Sequence, residues 1–180
     1  SFDKRLRIAA SGYLVGGAGA VFEVETSLDS SSLQATQWDT TQALLVVTGS
    51  GQKTLRVTGA DRGPSDAGYV ENFAWGGLTL RHGVALNVLS AQPGAGALYV
   101  GALDLEDGLA QIGQITSQIP VYYDGRLAAN AFLLGQTYAL TGGGALIAAV
   151  PEPATLPTLI AGLALLGGWT WRRRAALARA

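Results

Sequence analysis

Short segments in which apolar and polar residues alternate make up much of the chain between residues 43 and 141. Leu55-Arg56-Val57, Leu78-Thr79-Leu80 and Leu103-Asp104-Leu105 each place two apolar side chains on one face of an extended strand. The segments are rich in Val, Leu, Thr and Tyr, and most stop at Gly or Asp. The pattern predicts strands at residues 43–48, 54–58, 77–81, 85–89, 97–100, 102–105, 120–123 and 137–141.

Weaker patterns precede and follow this series. Residues 4–10 and 20–26 predict two further strands, and the Ser-, Thr- and Gln-rich residues 27–37 predict a loop. A basic cluster before the uncharged run 8–22 also resembles a secretory signal peptide, but that run is rich in Gly and poor in Leu, which favours the two strands. Residues 145–150 are expected to form a short lead-in to the C-terminal segment.

Several segments echo one another along the chain. Leu78-Thr79-Leu80 and Leu103-Asp104-Leu105 lie 25 residues apart, Leu55-Arg56-Val57 precedes the first by 23, and Val121-Tyr122-Tyr123 follows the second by 18. One apolar-faced strand and one Gly turn in each loose repeat is typical of a β-solenoid, in which every coil stacks on the previous one. The sequence therefore predicts a mainly β fold, with a right-handed β-solenoid favoured and a β-sandwich as the alternative.

The C-terminus has a different pattern. Residues 154–171 form an uncharged run of 18 residues, which as a helix would be about 27 Å long, close to the ~30 Å of a bilayer core. Trp169 and Trp171 lie at its far edge, where aromatic rings favour the membrane interface. The run predicts one transmembrane helix, and the apolar residues expected to anchor it are Leu156, Leu159, Ile160, Leu163, Leu165, Leu166, Trp169 and Trp171.

The anchor has a preferred orientation. The basic cluster Arg172, Arg173 and Arg174 follows the run directly, and such flanks remain on the cytoplasmic side. The six Leu and Ile side chains favour insertion by about 3 kcal/mol together, which is modest. A buried helix of a soluble domain is the alternative, but such a helix normally carries a polar stripe, which this run lacks. We expect the body to lie outside the cytoplasm.

The order of the tail resembles a known signal. Pro151-Glu152-Pro153, an apolar helix and a terminal arginine cluster together resemble a PEP-CTERM sorting signal, over about the last 30 residues. The resemblance implies an exported protein of a Gram-negative cell envelope that an exosortase, a membrane enzyme, handles through Pro151, Glu152 and Pro153. It also implies transient anchoring in the inner membrane before delivery to the cell surface or an exopolysaccharide matrix.

The body carries a second resemblance. Motifs such as Trp38-Asp39-Thr40-Thr41, Asn72-Phe73-Ala74-Trp75-Gly76 and Val121-Tyr122-Tyr123-Asp124 are similar to the final part of exported, haemagglutinin-like bacterial β-helix proteins. This resemblance covers residues 36–150. It implies that residues 1–149 are an extracytoplasmic fragment of a longer chain, and that they close the end of a longer solenoid. Residues 150–180 would form the sorting tail.

Composition and charge exclude several classes of protein and partner. Apolar residues make up 48% of the chain, too many for a disordered protein. Residues 1–150 carry eight basic and twelve acidic residues, a net charge of −4, whereas residues 151–180 carry four basic and one acidic, a net charge of +3. An acidic body argues against nucleic acid as a partner. The chain has no Cys, which excludes disulfides and thiolate chemistry.

Candidate catalytic and metal-binding residues are few. His82 is the only His, and it follows a strand and precedes Gly83, so we expect an exposed turn residue. Asp104, Glu106 and Asp107 form an acidic cluster without the spacing of a Ca²⁺ loop, which favours a solvated turn. Trp75, Tyr122 and Tyr123 are expected to pack in the core rather than to stack on sugars.

These observations together favour an exported, non-enzymatic surface or matrix protein. We expect no catalytic residue, no metal and no cofactor, and we expect an exosortase, the membrane and an exopolysaccharide as partners. The alternative is the C-terminal part of a polysaccharide-active β-helix enzyme or a carbohydrate-binding module.

Overall fold

The structure is a computed structural model that describes residues 5–92 and 95–149. It is mainly β, as the sequence predicts, with three short 3₁₀ helices at Asp66–Tyr69, Gly108–Gln114 and Ala128–Leu133. The strands within the described residues are β1 Leu6–Ile8, β2 Val21–Val24, β3 Ser27–Ser30, β4 Thr40–Val47, β5 Gly51–Val57, β6 Trp75–Leu80, β7 Val84–Ser90, β8 Leu98–Leu105, β9 Ile115–Ser117, β10 Val121–Asp124, β11 Tyr138–Ala139 and β12 Ala145–Ala149.

Successive strands alternate between two sheets. The odd-numbered strands from β1 to β9 form one sheet in the order β1-β3-β5-β7-β9. The second sheet has the order β11-β12-β10-β8-β6-β4-β2. Each strand pairs in parallel with the strand two positions away, except that β11 is antiparallel to β12. The antiparallel neighbours that a β-sandwich requires are found only at β11–β12 in the part of the chain that the structure describes.

The core lies between the two sheets. Inward-facing residues of successive strands stack in rows, such as Leu28, Leu55 and Val88 in one sheet, and all three are at most 1% exposed. Trp75 of β6 is 2% exposed and meets Trp38 edge to face at 6.1 Å between ring centroids. Burial of such rows stabilises the fold by roughly 1.5–3 kcal/mol per large apolar side chain.

The register confirms one predicted repeat and corrects two. Leu78 pairs with Leu103, so the 25-residue echo marks neighbouring strands of one sheet. Leu55, however, lies in the other sheet and pairs with Leu28 and Val88, so its 23-residue echo with Leu78 does not join neighbours. Val121 pairs with Leu98 rather than with Leu103. The two differences have separate causes. Apolar alternation does not distinguish the two sheets, which explains Leu55, and it does not fix the register between β10 and its neighbour β8, which explains Val121.

Some predicted elements differ from the observed ones. The predicted loop 27–37 contains β3, whose Leu28 is 1% exposed between small polar neighbours. The two strands predicted at 97–100 and 102–105 are one strand, β8, which continues through Gly101. β9 was not predicted, because its sequence Ile-Thr-Ser is too short to show a period.

The two ends of the stack differ. At the C-terminal end, β11 covers the outer edge of β12, and Thr141 bridges to Thr116 of β9. At the N-terminal end, β1 and β2 each pair with one strand only among residues 5–92 and 95–149. Three apolar side chains at this end are half exposed or more, namely Tyr13, Val15 and Val21. Among the described residues, β1 and β2 therefore each have one unpaired edge, whereas β12 is paired on both of its edges.

The chain divides into two compact units, Ser1–Val150 and Pro151–Ala180. The transmembrane helix predicted at residues 154–171 lies outside the described residues. Within residues 5–92 and 95–149, none of the helices is long and apolar enough to cross a membrane.

Candidate functional site

The residues predicted to carry the sorting function all lie outside the described part of the chain and remain predictions. The motif is Pro151, Glu152 and Pro153, and the basic cluster is Arg172, Arg173 and Arg174. The predicted anchor residues are Leu156, Leu159, Ile160, Leu163, Leu165, Leu166, Trp169 and Trp171.

The structure does describe the strand that leads into the motif. β12 ends at Ala149, which is 4% exposed and in register with Asp124 of β10. The backbone N–H of Gly125 donates to the carbonyl oxygen of Ala149 at 3.2 Å. Only Val150 separates Ala149 from Pro151. The predicted motif thus begins two residues after a buried, paired position.

β12 is held on both of its edges. On one side, Leu146 is in register with Val121 of β10. On the other side, the same residue pairs with Tyr138 of β11. Leu146 is completely buried, so β12 contributes to the core as well as to the sheet. Residues 145–149 of the predicted lead-in therefore form a strand with a neighbour on each side.

A cluster of charges surrounds the turn beside the end of β12. Arg126 donates to both carboxylate oxygens of Asp124, at 2.8 Å from Nε and from Nη2, and its Nη2 also lies 3.0 Å from Asp66 Oδ1. These hydrogen bonds from Arg126 hold the pKa of Asp124 below its usual range. The cluster joins the first 3₁₀ helix to the turn after β10 and keeps Asp124 ionised.

His82 lies in an exposed turn, as predicted, with its side chain 74% exposed. Its Nδ1 is 2.7 Å from Asp107 Oδ1, and its backbone N–H donates to Glu106 Oε2 at 3.0 Å. The hydrogen bond to Asp107, followed by the charges of Glu106 and Asp107, raises the pKa of His82, against opposing contributions from desolvation and Arg81. These contacts connect turns 24 or 25 residues apart, the turn after β6 and the turn after its neighbour β8.

The predicted acidic cluster is divided among cationic and hydroxyl partners. Glu106 pairs with Arg81, Asp107 pairs with His82, and Asp104 accepts a hydrogen bond from Thr79 at 3.4 Å. Among the residues that the structure describes, no three His, Asp or Glu side chains are grouped as metal ligands. These ion pairs and this hydrogen bond fit the predicted solvated turn, which is linked to the equivalent turn about 25 residues earlier.

The predicted packing of the aromatic residues is confirmed. Trp75, Tyr122 and Tyr123 are all at most 4% exposed. Tyr122 stacks on Tyr99 with ring centroids 4.6 Å apart, and Tyr69 meets Tyr99 edge to face at 5.4 Å. This row lies in a small second cluster of buried residues, separate from the main core.

An open groove of about 560 Å³ lies beside this cluster. Asp61 at its wall accepts hydrogen bonds from the Tyr122 hydroxyl and the Gly63 N–H, both at 2.9 Å, which fix the carboxylate. A guanidinium, an amide and aliphatic side chains complete a surface of mixed polarity. The lining residues are Arg56, Asp61, Leu89, Ser90, Ala95, Gly96, Gln118, Ile119 and Pro120.

Sequence reasoning missed three buried amide side chains that bond to backbone groups. Asn130 bonds to Leu103, Gly101 and Asp124, and it is 2% exposed. Gln111 is 0% exposed and donates to the carbonyl oxygens of Arg81 and Val84. Asn72 is 4% exposed and bonds to Ala60 and Gly68 within its own loop between β5 and β6. Their only signal in the sequence is an isolated amide within an otherwise apolar stretch.

Comparison with known proteins gives one match. Residues 149–174 match the model of the PEP-CTERM protein-sorting motif. Neither the curated proteins nor the solved structures contain a match to this chain. The motif implies an exported, envelope-associated protein that an exosortase sorts and processes.

Proposed function

We propose that this chain is a non-enzymatic surface or matrix protein whose β body is delivered by its C-terminal sorting tail. The observation that carries the proposal is the sorting-motif match at residues 149–174, which begins at the last residue of β12, the final strand that the structure describes. Residues 154–171 cross the inner membrane as a helix, Arg172 to Arg174 stay in the cytoplasm, and the body stands outside. The exosortase then recognises Pro151, Glu152 and Pro153.

The body is the end of a right-handed β-solenoid that continues on the β1 and β2 side. The open first coil supports this, because exposed strand edges and apolar side chains are normally covered. The pattern of charges on the first strands also supports a continuation beyond β1 and β2. Asp29 of β3 pairs with Arg7 at 3.5 Å and with Arg56 at 3.2 Å, in a row that alternates in sign across three strands. A further coil would continue the row with an acidic residue opposite Arg7.

Amide exchange tests this continuation. In the present chain, amides of β1 and β2 should exchange much faster than those of β10 and β12. In a chain extended at its N-terminus by further coils, β1 and β2 should become protected while β12 is unchanged. Equal protection of β1 and β12 without added coils would contradict the open end.

The groove beside the tyrosine cluster supports an exopolysaccharide as the matrix partner. Its fixed carboxylate, Asp61, accepts hydroxyl hydrogen bonds, while Leu89 and Ile119 offer an aliphatic surface to the carbon face of a sugar. The net charge of −4 over residues 1–150 favours neutral over anionic polysaccharides. The same groove is the feature that favours the second candidate, a polysaccharide-active enzyme, with Asp61 as its acid or base.

Turnover separates the two candidates. Incubation with neutral polysaccharides should release no reducing ends, and Asp61→Asn should weaken retention on the polysaccharide without any change in product. Release of reducing ends that Asp61→Asn abolishes would establish the enzyme instead.

Deletion and motif variants test the sorting tail. Removal of residues 151–180 should release the body in soluble form from cells that export it. Replacement of Pro151 and Glu152 by Ala should leave the full chain in the inner membrane unprocessed. A deletion variant that stays membrane-bound, or normal maturation of the double Ala variant, would overturn the proposal.

A further inference from the structure

We infer that the polysaccharide partner is an extended, neutral chain that lies across the strands of the β1-β3-β5-β7-β9 sheet, on the outer face of that sheet. The inference rests on the proposed function and adds to it the shape of the polymer and the residues that bind it. The groove beside Asp61 is then one end of a longer trough.

Two rows of side chains line the outer face of this sheet. Leu28, Leu55 and Val88 point into the core, so the residues that alternate with them point outward. One outward row is uncharged and in register across four strands, and it consists of Ser27, Thr54, Asn87 and Thr116. The second outward row lies two residues further along each strand, and it consists of Arg7, Asp29, Arg56 and Leu89.

Three hollows run along these rows and share residues with one another. The groove of about 560 Å³ and a second hollow of about 310 Å³ are both lined by Arg56. The second hollow and a third one, of about 290 Å³, are both lined by Asp29. Ser27 and Thr54 also line the second hollow, so it joins the two rows. The hollows therefore follow one another from the end of β9 to β1, across the direction of the strands.

The polar groups of the trough suit a neutral ligand. The four side chains of the uncharged row are half-buried, and none of them hydrogen-bonds to another residue among 5–92 and 95–149. They are therefore available to donate to sugar hydroxyls and to accept from them. In the second row, Asp29 pairs with both Arg7 and Arg56. An anionic polymer would have to displace Asp29 from these arginines, whereas a neutral chain leaves the ion pairs intact.

The spacing of the strands favours an extended polymer. Neighbouring strands lie about 4.8 Å apart, so the five strands of this sheet span about 19 Å. One pyranose unit of an extended, β-linked chain advances by a similar distance, so each unit meets one strand. A helical chain curves away from a straight row after its first units. Leu89 and Ile119 offer the carbon face of the sugars an apolar surface at the β9 end.

Oligosaccharides of increasing length test the extent of the site. Calorimetry on the full chain in detergent micelles measures the dissociation constants of cello-oligosaccharides, which are neutral and extended, with about two to six units. We expect the affinity to rise with each unit up to about four, because the trough has room for one unit at each strand spacing. Malto-oligosaccharides of the same lengths, which are neutral but helical, should gain little affinity beyond the shortest member. Equal gains in the two series would overturn the fit to an extended chain.

The loss of one hydroxyl tests the uncharged row. Thr54→Val keeps the branched shape of the side chain but removes its hydrogen bond, and it should weaken binding of the longer cello-oligosaccharides about threefold to tenfold. Thr116→Val, two strands away, should cause a similar loss. Thr137→Val is the matched control, because Thr137 is exposed and lies outside both rows, and it should leave binding unchanged. Urea denaturation of each variant shows that the fold is retained.

The outcomes separate this inference from the proposed function. Binding that Asp61→Asn weakens, but that ignores chain length and both valine variants, would confine the ligand to the groove and overturn the trough alone. Failure of both oligosaccharide series to bind at any length would overturn the polysaccharide partner itself. A dimer of the full chain that Thr54→Val dissociates, without any binding of sugars, would assign this face to a second copy instead. Length-dependent binding of the extended series that Thr54→Val and Thr116→Val weaken supports both.

Discussion

The side-chain amide of Asn130 donates to the carbonyl oxygen of Gly101 at 2.8 Å, across 29 residues of sequence. It donates also to the carbonyl oxygen of Asp124 at 2.7 Å, and its Oδ1 accepts the N–H of Leu103 at 2.8 Å. One buried side chain therefore satisfies three backbone groups on β8 and β10. Neighbouring strands β8 and β10 are therefore joined by a buried amide as well as by backbone pairing.

Replacement of Asn130 by Leu should destabilise the body strongly. The change leaves the N–H of Leu103 and two carbonyl oxygens without their partner, and we expect a loss of about 3 kcal/mol in the free energy of unfolding. Urea denaturation measures it. Asn87→Leu, at a half-buried position on β7, should change stability by less than about 0.5 kcal/mol. Similar losses at the two positions would contradict the role of Asn130.

The close approach of neighbouring strands at Gly76 predicts a second loss. A Cβ at this position would lie 2.6 Å from the carbonyl oxygen of Thr41 and 3.0 Å from the backbone nitrogen of Ala43. Gly76→Ala must therefore push β4 away from β6, at a cost of about 1–3 kcal/mol. Gly113→Ala is the matched control, because a Cβ there meets no atom within 4 Å. Thermal unfolding of the two variants should differ by several degrees.

The His82 cluster predicts a pH dependence of stability. Folding raises the pKa of His82. The stability that protonated His82 gives to the fold is therefore fully present below its pKa in the unfolded chain, about 6.5, and is lost as the pH rises through its pKa in the folded protein. Folding lowers the pKa values of Glu106 and Asp107. The stability that these carboxylates give to the fold is therefore present above the pKa values of carboxyl groups in the unfolded chain, and it is lost as the pH falls through the lowered pKa values. The cluster should stabilise the fold most at pH values between the carboxyl pKa values and the raised pKa of His82.

Two measurements check this dependence. The imidazole of His82 should titrate by NMR above 6.5, and Asp107→Asn should lower that value, because it removes the strongest partner. His82→Gln should lower stability more at pH 5.5 than at pH 8.5. A difference that is the same at both pH values would show that the turn holds without the charged imidazole.

The hydroxyl of Tyr99 predicts the behaviour of the loop between β5 and β6. It accepts the N–H of Arg62 at 2.8 Å and donates to the carbonyl oxygen of Gly63 at 2.9 Å. Burial raises the pKa of Tyr99 to about 12, so it keeps its proton at physiological pH. Tyr99→Phe should cost about 1–2 kcal/mol and speed amide exchange at Arg62. Tyr13→Phe, at a half-exposed ring, should neither lower the stability nor change the amide exchange at Arg62.

The sequence predicted the β class and most strand positions because burial between two sheets imposes a period of two on each strand. It predicted the pairing of Leu78 with Leu103, where the turns between them preserve the same short pattern. It placed Leu55 wrongly, because both sheets impose the same alternation. It missed β3, where Leu28 is the only large apolar residue among Ser and Asp.

The surroundings of the sorting motif were harder to predict than the motif itself. Pro151, Glu152 and Pro153 are recognisable because their order with the apolar run and the arginines is written along the chain. The pairing of Ala149 beside Gly125 depends on a register that local sequence does not encode. Asn130 and Gln111 escaped for the same reason, since they bond to backbone groups 27 to 30 residues away in the sequence.

The alternation of strands between two sheets has a consequence for the order in which the body of an exported chain can assemble. β4 finds its partner β2 as soon as it emerges, and β5 finds β3, so assembly can advance in the direction of translocation without waiting for the far end of the chain. Each newly delivered half-turn adds to a template that is already in place, which limits the time that unpaired strands spend in solution. Within the residues that the structure describes, growth in this direction ends at β11 and β12, the last strands to be synthesised.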